Sequence, residues 1–335
     1  VGSDLRPGTV LDGRYRLEGL LGEGGMGAVW VARQLTLERD VAVKVVHAAA
    51  PEHRPLLRRE ALALAAVHHP AVIQVFDYGE TEDGVPYVVM ELLRGESLAA
   101  RLAREGPLPA DAAVEILLPL LDGLAAAHRA GIVHRDVKPA NVLLAGDPAT
   151  PKLLDFGIAQ LAAGGAPAVT TGNLRGTPAY MAPEQILGQP LDERVDVWGA
   201  GVMLYELVAG ALPFDTGEVF SVMRRIVSDP PSFPRHARGL DGRLWSIVMG
   251  ALRKKPEDRT PSARALREAL EAWRSAPPRA PESGTPETPR PAPAAAAPRA
   301  SDAPTLPAGT AAPAPSSPAA DTPSMDALIR AKLRG

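Results

Sequence analysis

The chain has 335 residues, 46% of them apolar, and a formal net charge of −3. That length suits about two domains or one large two-lobed one, and so small a charge leaves no global field to draw nucleic acid or an acidic membrane. Cysteine is absent, which excludes disulfides and thiolate chemistry. Residues 1–14 are short and polar, unlike a signal peptide, so the expectation is a cytoplasmic, water-soluble chain with no nucleic-acid partner.

The first elements read as strands. Residues 15–22, 27–33 and 41–47 are short β-rich runs broken by glycine and charged turns. Residues 55–67 then place Leu56, Leu57, Leu64 and Val67 at helical spacing. Strands are expected again at 72–78 and 86–91, around the turn Glu82-Asp83-Gly84. From Ser97 onward the pattern is mostly helical, with long apolar helices at 111–130 and 195–209. The stretch 195–214 is as long as a membrane span. It carries Asp196, Glu206, glycines and a proline near its end, so it reads as a buried core helix and no membrane span is expected. Thr260 can cap a last helix, with Pro261 at its first position, ending near Arg274. Residues 275–323 are dominated by proline and alanine. They have too little apolar surface to offset chain entropy, which predicts a disordered linker. Its Thr285-Pro286, Thr288-Pro289, Ser317-Pro318 and Thr322-Pro323 pairs offer hydroxyls for modification. At 324–335 a short amphipathic helix is expected, with Ser324 as its cap. Met325, Leu328, Ile329 and Leu333 share one of its faces, which would suit a docking partner.

Three motifs carry chemistry. The first is Gly22-Glu23-Gly24-Gly25-Met26-Gly27-Ala28-Val29. Its G-x-G-x-x-G spacing also occurs in dinucleotide-binding loops, but those open a helix, whereas Val29-Trp30-Val31 continues as a strand. A glycine-rich hairpin lets backbone N–H groups approach phosphates. The second is Val41-Ala42-Val43-Lys44. A lysine in an apolar strand needs a partner to offset desolvation, and Glu60 on the following helix is the expected one. An edge lysine reaching outward is the plainer reading of Lys44 alone.

The third motif is His134-Arg135-Asp136-Val137-Lys138-Pro139-Ala140-Asn141, followed by Asp155-Phe156-Gly157. Asp136 can accept the proton of an attacking hydroxyl, and Lys138 can steady a γ-phosphate. Asn141 and Asp155 can ligate magnesium through hard oxygens. Polar loop residues capping a turn would explain either piece alone; both at this spacing make phosphoryl transfer the far better reading.

On these motifs the chain resembles the eukaryotic-like (Hanks-type) serine/threonine protein kinases, bacterial branch, over about residues 15–274. The resemblance extends to Ala182-Pro183-Glu184, Asp196 and Arg259. It implies an α+β, two-lobed fold: a β-rich small lobe over about 15–91 and a helical large lobe over about 95–274. A bacterial source also fits the composition, in which alanine and proline abound and only six lysines occur. The implied cofactors are ATP and Mg2+, with Mn2+ as a substitute, and the implied partners are proteins phosphorylated on serine or threonine. The implied purine pocket has Val29 and Ala42 above and Leu143 below, Leu21 as cover and Met90 as gatekeeper. Backbone groups of Glu91 and Leu93 face the purine, and Ser97 lies near the ribose. Further implied roles are a Glu184–Arg259 pair and an Asp196 contact to the catalytic-loop backbone. Thr177 would bridge Asp136 and Lys138. Thr171, or its neighbour Thr170, would be an activation phosphosite paired with Arg135, for which the sequence offers no obvious anion. Two copies would meet for autophosphorylation in trans. A pseudokinase scaffold on the same fold is the alternative, yet Lys44, Asp136, Asn141 and Asp155 are all present. An antibiotic-phosphotransferase reading is disfavoured by the long segment from Asp155 to Glu184.

Overall fold

A computed structural model of the chain describes residues 5–24, 27–46, 51–146, 149–156, 178–214, 217–232 and 241–276. The expected linker and terminal helix lie outside these residues, except that Ser275 ends the last helix and Ala276 is its C-cap.

The small lobe is an antiparallel sheet of β1 (Val10–Leu11), β2 (Tyr15–Gly24), β3 (Gly27–Gln34), β4 (Arg39–Val45), β5 (Val75–Glu80) and β6 (Pro86–Glu91). Their order is β1-β2-β3-β4-β6-β5. Side chains alternate across a strand, so Tyr15 and Leu17, Trp30 and Ala32, and Val41, Val43 and Val45 share one core with Tyr87 and Val89. Helix α1 (Arg54–Ala65) packs against β5. Its buried stripe is Leu57, Ala61 and Leu64, spaced i, i+4, i+7. Leu56, one of the four apolar positions read at helical spacing, falls one position off that stripe and is exposed. The strand expected at 72–78 begins only at Val75, because Val72 instead bridges to Leu153.

The large lobe begins with β7 (Gly95–Ser97) and α2 (Leu98–Glu105), then α3 (Ala110–Arg129). Strands β8 (Val142–Ala145) and β9 (Thr150–Leu153) complete a small sheet with β7. After these come α4 (Pro183–Ile186), α5 (Arg194–Ala209), α6 (Val219–Ser228), α7 (Gly242–Ala251) and α8 (Ala263–Ser275). The expected α+β architecture, a β-rich small lobe and a larger helical one, is therefore present. Helix α5 is buried on nearly every side and packs against α3, α7 and α8, which is why its sequence is apolar all round. Among the described residues no helix is long and apolar enough to cross a membrane.

The cap of α8 differs from expectation. Ser262, with extended backbone, accepts the amide of Ala265 at 3.1 Å. Thr260 lies upstream, its own amide bound to the Gly250 carbonyl, so Pro261 precedes the cap instead of following it.

Candidate active site

The glycine-rich hairpin is the tip of β2 and β3, where Gly22 faces Val29 and Gly24 faces Gly27. Gly25 and Met26 lie outside the described residues. Gly27 has φ +147°, and a Cβ there would sit 1.9 Å from the Val45 carbonyl oxygen. At Gly22 and Gly24 a Cβ would meet nothing within 4 Å. Gly27 is thus required by the fold, whereas the other two leave open space beside their backbone. Gly27→Ala should destabilise by about 1–3 kcal/mol, as overpacking does. Gly22→Ala and Gly24→Ala should leave the thermal midpoint unchanged. Scanning calorimetry of the three variants checks this.

Lys44, on β4 opposite Val29 and Val88, puts its Nζ 2.6 Å from Asp155 Oδ1. Its expected partner, Glu60, lies instead 3.6 Å from Arg135 Nη2. Two expectations are corrected together: Lys44 is ion-paired across the lobes, and Arg135 does have an anion nearby. The exchange follows from the position of α1, which sets which cation Glu60 meets; spacing along the chain does not. Burial pushes the Glu60 carboxyl above its ordinary range, and the guanidiniums of Arg135 and Arg59 only partly offset this. Arg135 Nε is buried with no hydrogen-bond partner among the described residues.

The catalytic-loop residues converge on one carboxylate. Asp136 Oδ2 accepts Lys138 Nζ at 2.7 Å and Asn141 Nδ2 at 2.9 Å. Asn141 Nδ2 also donates to the Asp136 carbonyl at 2.8 Å. Its amide nitrogen is thereby turned inward, and Asn141 Oδ1 is the atom left for a cation. Asp155, at φ +51°, is half-exposed. Asn141 and Asp155 supply hard oxygens from two sides. That donor set fits Mg2+, which takes one or two protein ligands and fills its remaining positions with phosphate and water.

Asp196 explains how the loop is held. It is fully buried in the first turn of α5, where a helix favours negative charge. It accepts the amides of His134 at 2.8 Å and Arg135 at 2.7 Å, and lies 2.7 Å from His128 Nε2. Arg135 has φ +67°, a sparsely populated conformation that needs such fixing. The ring of His134 lies 4.5 Å from that of Phe156, and His134 Nε2 is 2.8 Å from the Leu154 carbonyl. His128 was not singled out from sequence, because a lone histidine at a helix end carries no motif.

Around the implied purine site, Ala42 pairs with Met90 across β4 and β6, and both are buried. Leu143 faces Ser97 on one side and Lys152 on the other. Leu21 is exposed. Ser97 Oγ caps α2, accepting the Ala100 amide at 3.1 Å. The Glu91 amide is taken by the Gln74 carbonyl at 3.0 Å, so that amide is not free for a ligand. Gly157, Thr170, Thr171 and Thr177 lie outside the described residues. Farther down, Glu184 and Arg259 form a buried bidentate pair at 2.6 and 2.9 Å. The same guanidinium reaches the carbonyls of Arg194 and Arg253 at 2.7 and 3.1 Å.

Residues 15–270 match the protein kinase domain family. The chain belongs to that family. The kinase domain is 38% identical to the serine/threonine-protein kinase pkn3 of Myxococcus xanthus, a match covering 81% of this chain and 52% of that protein. It is 40% identical to PknB of Mycobacterium tuberculosis (81% and 45%) and 38% identical to PksC of Streptomyces coelicolor (78% and 49%). These matches place it in the bacterial Hanks-type branch, although the chain spans about half the length of the curated relatives it matches. A crystal structure of Rad53 residues 1–466 in complex with AMP-PNP superposes with a TM-score of 0.64 at 25% identity, covering 76% of this chain and 64% of that one.

Proposed function

We propose that the kinase domain transfers the γ-phosphoryl group of ATP to serine or threonine of protein substrates. The observation that carries this reading is the convergence of Lys138 and Asn141 on Asp136 Oδ2, together with a second carboxylate, Asp155, paired with Lys44. Both partners of Asp136 sit on one oxygen, which leaves Oδ1 for the substrate hydroxyl. As the oxygen of the substrate hydroxyl bonds to the γ-phosphorus, its proton passes to Asp136 Oδ1, and the bond to ADP breaks with its electron pair leaving on ADP. Lys138 offsets negative charge on the transferring group. Asn141 Oδ1 and Asp155 would hold Mg2+, or Mn2+ in its place, which when bound neutralises charge developing on the phosphates. In our reading the Glu91 carbonyl and the Leu93 backbone orient the purine between Ala42, Val29 and Leu143, with Leu21 above. A cytoplasmic site of action, where ATP is supplied, belongs to the same reading.

The ion pairs suggest how activity is raised. In our reading a phosphate on Thr171, or on Thr170, takes Arg135 from Glu60 and frees Glu60 to meet Lys44. A phosphothreonine brings about −1.5 to −2 charge and three strong acceptor oxygens, and Arg135 Nε, which has no hydrogen-bond partner among the described residues, would donate to one of them. Thr177 would then join Asp136 and Lys138 on the substrate side. Two copies would meet for this reaction in trans, and the segment 324–335 would dock a partner protein. Incubation with Mg·ATP should yield phosphate at Thr171 or Thr170 by mass spectrometry. Removing both hydroxyls should lower activity about tenfold, the equivalent of one charge-assisted hydrogen bond. Protein that is active with neither residue modified would contradict this activation route.

A further inference from the structure

Outside the motifs, one oxygen gathers donors from separate elements. Glu91 Oε1, at the end of β6, accepts Lys152 Nζ at 2.5 Å and the Gln74 amide at 2.9 Å. Both charged side chains are more than three-quarters buried. The Gln74 carbonyl takes the Glu91 amide in return, at 3.0 Å. Gln74 Nε2 reaches back to the Ala65 carbonyl at 3.2 Å, at the end of α1, and to the Val75 carbonyl at 3.0 Å. The segment before Gln74 is also zipped to β9: Leu153 donates to the Ala71 carbonyl at 2.8 Å, and Ile73 donates to the Leu153 carbonyl at 3.0 Å. One cluster therefore ties the end of α1, the end of β6 and β9 together.

Strand β9 ends two residues before Asp155, whose φ of +51° is costly for a non-glycine residue and persists only when its surroundings over-determine it. Hydrogen bonds fix the strand on both sides of that approach. Leu153 is held by the 71–73 segment, and the Leu154 amide by the Asn141 carbonyl at 2.8 Å. Lys152 adds the side-chain tether. Its partner Glu91 is also a residue whose backbone contacts the purine in the proposed function.

We infer that Lys152 is a positioning residue for the metal site: through Glu91 and Gln74 it holds β9 so that Asp155 keeps its strained conformation. Purine contact at the Glu91 carbonyl and Mg2+ contact at Asp155 are coupled through this ion pair. The inference rests on the kinase reading above and goes beyond it by naming side chains that link the nucleotide to the cation. A merely structural ion pair would lower stability when broken, yet leave the mutual dependence of nucleotide and cation intact.

The test is calorimetric titration of the full chain with a non-hydrolysable ATP analogue, with and without saturating Mg2+. In the wild type Mg2+ should tighten analogue binding. Lys152→Met should reduce that tightening about tenfold, the scale of a hydrogen bond to a charged group, with Mg2+-free affinity little changed. Lys152→Arg should restore it. Gln74→Ala keeps the charges and its backbone amide but removes the side-chain bonds to the Ala65 and Val75 carbonyls that hold residue 74 in place, and should reduce the tightening about threefold; it serves if Lys152→Met fails to fold. A folded Lys152→Met or Gln74→Ala protein with undiminished Mg2+ tightening overturns the inference. A wild type whose analogue binding ignores Mg2+ overturns the kinase reading itself, a distinct outcome.

Discussion

Asp136→Ala should lower turnover by about 10²–10⁴-fold, the range for removing a general base, while leaving affinity for Mg·ATP within a few-fold. The carboxylate does not touch the purine side of the pocket. Its bonds are to the side chains of Lys138 and Asn141. Its loss leaves Lys138 without its 2.7 Å partner and the substrate hydroxyl without an acceptor. Both effects fall on the transition state, so kcat and kcat/KM should drop together. Asn141 would keep its bond to the residue 136 carbonyl, which should preserve the cation ligand. Parallel steady-state kinetics and nucleotide titrations check this. Equal loss of nucleotide affinity and turnover would mean that the loop had collapsed.

Arg259→Ala should destabilise the kinase domain by about 3–5 kcal/mol, because it strands a buried carboxylate. Glu184 and Arg259 are almost wholly inaccessible to solvent. The guanidinium also satisfies the carbonyls of Arg194 and Arg253 and lies over the ring of Trp198, 5.2 Å from its centroid. One deletion therefore unpairs a buried charge and removes the donor to three backbone carbonyls, those of Arg194, Arg253 and Lys254. Arg259→Lys would supply charge without the planar fork that meets both Glu184 oxygens, so it should recover only part of the loss. Chemical denaturation of the three proteins measures the effect. A change below about 1 kcal/mol, the scale of an exposed pair, would contradict the assignment of this pair as a buried anchor.

The catalytic loop was legible because its members are close in sequence: Asp136, Lys138 and Asn141 lie within one turn of chain and meet on one oxygen. The small-lobe strands were legible as β-rich runs broken by glycine and charged turns, and α5 from its long apolar stretch. What failed was pairing between distant elements. Nothing in the spacing of Lys44, Glu60, Arg135 and Asp155 says which cation takes which carboxylate; the placement of α1 against the sheet decides it. The α8 cap was misplaced because Thr260 and Ser262 are chemically equivalent candidates, and only the extended backbone at Ser262 separates them. Lys152 carried the same signal as Lys44, a lysine in an apolar strand, and could have been found by the same desolvation argument. Gln74 carried no signal, since its role depends on where α1 ends and β6 passes.

The central claim is tested most directly by incubating the purified chain with γ-labelled ATP, Mg2+ and a generic protein substrate, then identifying the labelled amino acids. The account predicts label on phosphoserine and phosphothreonine, dependent on Mg2+ and lost with Asp136→Ala. Folded, nucleotide-binding protein that transfers no phosphate to protein, or transfer that persists undiminished in Asp136→Ala, would contradict it.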